Sequence, residues 1–144
     1  SRGLGDVYKR QKEKALLLNT TKEALDIGIS KAVAGNLVYD ISQAIQEYVE
    51  SKGYSIVREL VGHGIGKQLH LDPQVPNFCE PKNHSHDVVL EEGMCLAIEP
   101  MVNLGSRHIK TDKDGWTIKT QDGKPSAHFE HSVLITKFQP RILT

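Results

Sequence analysis

The hydrophobic pattern of this chain changes period once, near Gly53, and that change limits the folds open to it. Before Gly53, apolar residues recur at three- and four-residue steps. Ala24, Leu25, Gly28 and Ala32 make one stripe; Ile41, Ala44, Ile45, Tyr48 and Val49 make another. The first predicts a helix over 12–33 that stops at Gly35-Asn36, and the second a helix that stops at Gly53. Asp40 with Gln43 three residues later resembles a capping box, with Asn36 as an alternative start. After Gly53 the alternation of Tyr54, Ile56 and Arg58 predicts a strand over 54–60. Pro73, Pro76 and Pro81 exclude a helix beyond it. Asp114-Gly115 and Asp122-Gly123 mark turns on either side of 116–120, and 127–136 ends as a strand. Helices first and strands second argue for an α+β domain. Residues 1–11 follow neither period and are expected to be a poorly ordered tail that stands apart from 12–144.

Composition narrows the function classes. The 144 residues carry 18 Lys+Arg against 18 Asp+Glu, and this balance speaks against a nucleic-acid or membrane-surface binder. No apolar run approaches the roughly 20 residues of a membrane span. No signal-peptide core is evident, and the two cysteines, Cys79 and Cys95, form no tight pair. That usage suits a reducing cytoplasm. All seven histidines lie between His63 and His131.

Four short segments could carry chemistry. Gly62-His63-Gly64-Ile65-Gly66 leaves one imidazole between residues that allow close backbone approach. Taken alone, it is equally a glycine-rich turn with an incidental histidine. No helix and no Lys-Ser/Thr pair follow to make it a phosphate loop. His70 opens a proline-stiffened segment, His70-Leu71-Asp72-Pro73, where an ordinary loop histidine is the plain alternative. Glu99, in Ile98-Glu99-Pro100-Met101-Val102, is a carboxylate within an apolar strand, costly to bury without a partner or a cation. Glu130, in Phe129-Glu130-His131-Ser132, poses the same problem. One glycine-flanked histidine and two such carboxylates make a plausible divalent-metal ligand set, without choosing among Zn, Mn, Fe and Co. His84 and His86 read better as a solvated loop. Trp116 reads as a structural aromatic, with the wall of a pocket as the sharper option.

In order and spacing, Gly62-His63-Gly64-Ile65-Gly66, His70 with Pro73, Val75-Pro76-Asn77, Glu92-Gly93-Met94, Ile98-Glu99-Pro100-Met101-Val102, Asp114-Gly115-Trp116 and Phe129-Glu130-His131-Ser132 resemble the C-terminal half of a type I methionine aminopeptidase. The likeness covers 13–144. The lack of a long insertion between His63 and Glu99 favours type I over type II. The methionine after Pro100 favours this family over its prolidase relatives.

The resemblance implies a pita-bread fold and removal of N-terminal methionine from new polypeptides. It implies two divalent metal ions that activate a bridging water in the parent enzyme. By matching position, His63, Glu99 and Glu130 correspond to metal ligands. Glu99 also corresponds to the general base, and His70 to a catalytic histidine that contacts substrate and stabilises the intermediate. Trp116 corresponds to part of the methionine pocket, with Leu69 near a position the family usually fills with Phe. Nascent polypeptide N-termini, and the ribosome, are the implied partners.

Two aspartate ligands that the family places upstream of the first helix have no counterpart here, and Asp6 lacks their neighbours. The expectation is therefore a truncated site that holds at most one weakly bound ion. The competing reading is a non-catalytic homologue that binds polypeptide or ribosome; retention of His63, His70, Glu99 and Glu130 together weighs against it.

Overall fold

The structure, a computed structural model, describes residues 2–80 and 88–144. His84 and His86 lie outside the described residues. Helix α1 (Arg2–Ser30) and helix α2 (Val38–Ser51) come first. Among the described residues ten short strands follow: β1 (Ser55–Ile56), β2 (Gly62–Ile65), β3 (Leu71–Val75), β4 (Cys95–Ile98), β5 (Met101–Asn103), β6 (Ile109–Thr111), β7 (Ile118–Thr120), β8 (Ser126–His128), β9 (His131–Leu134) and β10 (Arg141–Ile142). The α+β expectation and the helix-to-strand order hold.

Helix α1 corrects the expectation of a disordered tail. It is continuous from Arg2, although residues 3–12 are exposed. The reason is local: apart from Gly3 and Gly5 the segment is built of helix-compatible residues, and the Arg10 Nε–H donates to the Asp6 carbonyl one turn back. Packing begins at Leu17, with Thr21, Ala24, Leu25, Gly28 and Ile29 buried on one face. Gly28 is the crossing point of the helices, because Ile45 of α2 occupies the space its Cβ would need.

The start of α2 also differs from its predicted form. Leu37 is the N-cap, and Asp40 sits three residues in, accepting a 2.7 Å hydrogen bond from the Leu37 N–H. Asp40 is thus the returning half of a capping box, and its charge lies where the helix dipole favours it. Gly53 stops the helix as expected, with φ of 82°. The strand predicted over 54–60 is real only at Ser55–Ile56.

Two sheets carry the rest. One has the order β1-β5-β8 and the other β10-β9-β4-β2-β3, with every pairing antiparallel. Strand β3 is an edge strand, which is why Pro73 can sit in it without costing a ladder bond. A β6–β7 hairpin stands apart from both sheets. Leu96, Ile98 and Val133 join Leu25, Ile41 and Ile45 in one core, so the helices cover one face of the strands. The alternate residues Ala97 and Glu99 take the other face.

The apolar runs around Glu99 and Glu130 are not single strands. The first divides into β4 and β5 and the second into β8 and β9, and each divides at its glutamate. β4 and β9 pair in one sheet; β5 and β8 pair in the other. Two long antiparallel segments therefore pass together from sheet to sheet.

Two glycine substitutions test this account in opposite directions. Gly5 lies within α1 with open space around it, so Gly5→Ala should stabilise the folded chain by up to about 1 kcal/mol. A Cβ on Gly62 would press on the Ala97 carbonyl oxygen in β4, so Gly62→Ala should destabilise by about 1–3 kcal/mol. Urea denaturation of both variants reads the sign; a destabilised Gly5→Ala would mean that α1 does not reach that far.

Candidate functional site

The register is the same on both sides of the sheet crossing, where Ile98 stands opposite His131 and Met101 opposite His128. Glu99 and Pro100 therefore stand opposite Glu130 and Phe129. Two carboxylates face each other across an antiparallel pair, an arrangement that is destabilising for like charges. Burial raises Glu99's pKa above its ordinary value, and the Glu130 charge raises it further; His63 works in the opposite sense.

The position of His63 follows from pairing. It stands opposite Ala97 in β4, so it shares a face with Glu99 two residues on. Its Nε2 lies 3.6 Å from Glu99 Oε2, with the two side chains 14% and 18% exposed. Its Nδ1 lies 3.0 Å from the Gly64 carbonyl oxygen. The flanking glycines make this approach possible. A Cβ on Gly62 would meet Ala97, and one on Gly64 would meet the Asp72 carbonyl of β3. β2 is thus squeezed between its neighbours, and the imidazole leaves it toward the carboxylates.

His70 ends the β2–β3 connection, and its ring lies 4.2 Å from that of His63, centroid to centroid. The two histidines line an open cavity of about 440 Å³ with Gln68, Asp72 and Gln74. The structure thus brings His63 against both Glu99 and His70, with Glu130 across the strand pair from Glu99. Leu69 sits beside His70 but is 70% exposed, and Trp116 is 86% exposed at the turn of the β6–β7 hairpin. That turn is fixed by Asp114, whose carboxylate accepts from the Trp116 and Thr117 N–H groups and the Thr117 hydroxyl.

The donor types suit a divalent cation: one imidazole and two carboxylates, one of them pushed towards its protonated form by burial and by the other. Their number and spacing do not. Among the described residues, no group of three or more His, Cys, Asp or Glu side chains is gathered closely enough to hold a metal ion. The residues present do not fit a metal pair.

Sequence reasoning missed Asn77. It is fully buried, its Nδ2–H donates to the Glu99 carbonyl at 3.4 Å, and its Oδ1 has no partner among the described residues. The signal was present in Val75-Pro76-Asn77-Phe78, a polar side chain set between apolar residues just beyond β3.

The chain is similar to known proteins over most of its length. The chain is 52% identical over 132 residues to a methionine aminopeptidase of Clostridium acetobutylicum, which covers 92% of this chain and 52% of that protein. It is 51% identical over 128 residues to methionine aminopeptidase 1 of Bacillus subtilis, covering 89% and 50%. The crystal structure of a methionine aminopeptidase from Thermotoga maritima superposes with a TM-score of 0.86 at 45% identity, over 92% of this chain and 52% of that one. The chain thus spans about half the length of the relatives it matches, and its fold is the corresponding part of the pita-bread fold. A family model described as metallopeptidase family M24 matches residues 4–137, starting inside the segment expected to stand apart. With that match over nearly its whole length, the chain belongs to metallopeptidase family M24.

Proposed function

We propose that this chain supplies half of the active site of an aminopeptidase that hydrolyses the N-terminal methionine from new polypeptides in a metal-dependent reaction. The observation that carries the reading is the opposed Glu99–Glu130 pair with His63 in reach of Glu99. Its relatives of about 50% identity are methionine aminopeptidases, which supports the same substrate class. In the full-length protein His63, Glu99 and Glu130 bind the metal, the remaining ligands coming from outside this chain. Glu99 acts as general base and His70 contacts the substrate. Trp116 and Leu69 are assigned to the methionine pocket, which requires the exposed β6–β7 hairpin to be covered in the complete site. Nascent chains at the ribosome, in the cytoplasm, are the proposed setting; the two free cysteines fit a reducing compartment.

Three outcomes check this reading. Release of methionine from a peptide that begins Met-Ala, stimulated by Co or Mn, should fall at least about 100-fold in full-length Glu99→Ala; retained activity would sink the role. Residues 1–144 alone should turn over little or no peptide, and calorimetric titration with Mn should find no more than one weakly bound ion. Tight binding of two ions would show that the ligand accounting is wrong.

The third outcome concerns pH. A carboxylate whose folded pKa is raised binds its proton more tightly in the folded state than in the unfolded state. Glu99 therefore costs nothing below its unfolded pKa and destabilises increasingly as pH rises through its raised folded value. In metal-free protein, thermal melts should show wild type losing stability relative to Glu99→Gln across that window. A difference that grows in the opposite direction would contradict the cause assigned to the shift.

A further inference from the structure

We propose that Asn77 is a positioning residue for Glu99, holding the strand crossing in the geometry that aims the Glu99 carboxylate. The inference rests on the function proposed above and adds a residue that none of the sequence motifs assigned a role.

At the crossing the chain lies in neither sheet, and Pro100 has no N–H with which to anchor it. The Asn77 side chain reaches this point from beyond the end of β3 and donates to the Glu99 carbonyl oxygen at 3.4 Å. Asn77 is itself held. Ser42, buried on α2, donates from its hydroxyl to the Pro76 carbonyl at 2.5 Å. Gln46, one turn along, accepts from the Cys79 N–H at 2.7 Å. Helix α2 thus grips the segment on both sides of Asn77 and ties it to the glutamate on the strand crossing.

The carboxamide is costly where it stands. Its Oδ1 is buried with no partner among the described residues, an arrangement that disfavours the folded state. Turning the amide over would only put two carbonyl oxygens face to face and orphan the Nδ2 donors. A leucine of similar size would remove the unpaired oxygen while leaving the Glu99 carbonyl without its donor, so the two costs offset each other. Stability therefore does not explain an asparagine here; a donor aimed at the Glu99 backbone does. Loss of that donor frees the crossing to turn and moves the carboxylate relative to Glu130 and His63.

The test is Asn77→Leu in the full-length protein, followed by methionine release from a Met-Ala peptide together with thermal melting. The expected result is kcat lower by about tenfold or more, KM within about twofold, and a Tm close to that of wild type. Asn77→His, whose Nδ1–H sits at nearly the reach of the carboxamide Nδ2–H, should recover most of kcat. If Asn77→Leu does not fold, Asn77→Asp takes its place, since it keeps the shape and lacks the donor. Wild-type kcat in the donor-less variant, or a loss that Asn77→His does not recover, overturns the proposal. Failure of the unsubstituted protein to release methionine is a different result and overturns the function on which the proposal stands.

Discussion

The opposition of Glu99 and Glu130 is the constraint on which the rest of this structure turns. Antiparallel pairing puts their side chains on one face, directly across from each other, and like charges in that relation repel. A strand pair that served only stability would not retain it. The two segments also leave one sheet and enter the other at this point, so the carboxylates sit where the ladder is weakest. The positions are coupled: a register slip of one residue in the β4–β5 segment would send Glu99 into the core and bring Leu96 and Ile98 out of it. The core therefore fixes the register, and the register fixes the pair.

His63 depends on the same logic through a different device. Its strand must lie unusually close to β3 and β4, and only residues without a Cβ permit that at Gly62 and Gly64. Pairing with Ala97 then settles which face the imidazole takes. Glycines that look like flexibility in the sequence act here as clearance. The helices contribute from the opposite side: α2 anchors the core through Ile41 and Ile45, and its Ser42 and Gln46 hold the segment that carries Asn77.

Much of this was legible in the sequence, for identifiable reasons. The period change at Gly53 gives the helix-then-strand order, because burial of one face imposes a period on either element. The glycine-flanked histidine and the two glutamates in apolar runs stand out because each breaks a local rule. What was not legible lies in relations between segments. Nothing local in Cys95–Asn103 shows that it is two strands in two sheets, since the break is set by what pairs on either side. Glu99 and Glu130 are far apart in the chain, and their direct opposition is a matter of register. The helicity of 2–11 escaped because its apolar residues, Leu4, Val7 and Tyr8, are few, exposed and interrupted by Gly3 and Gly5. Asn77 escaped because its partner is a backbone carbonyl 22 residues away.

The charges at the site do not balance within the described residues. Two carboxylates converge, and the only positive influence on Glu99 is the His63 imidazole, which counts only while protonated. Burial and Glu130 together outweigh it, so the proton is held on Glu99 more tightly than in water. A site that is to keep both carboxylates ionised needs added positive charge in the space they share with His63. The strand geometry creates that need without meeting it, since no three ligands close around one point among the described residues. Relatives of the same family, of which this chain spans about half, have as much chain again from which further ligands can come. The unbalanced pair is therefore what the proposed function has to answer for: positive charge brought to Glu99 and Glu130 by groups other than the described residues.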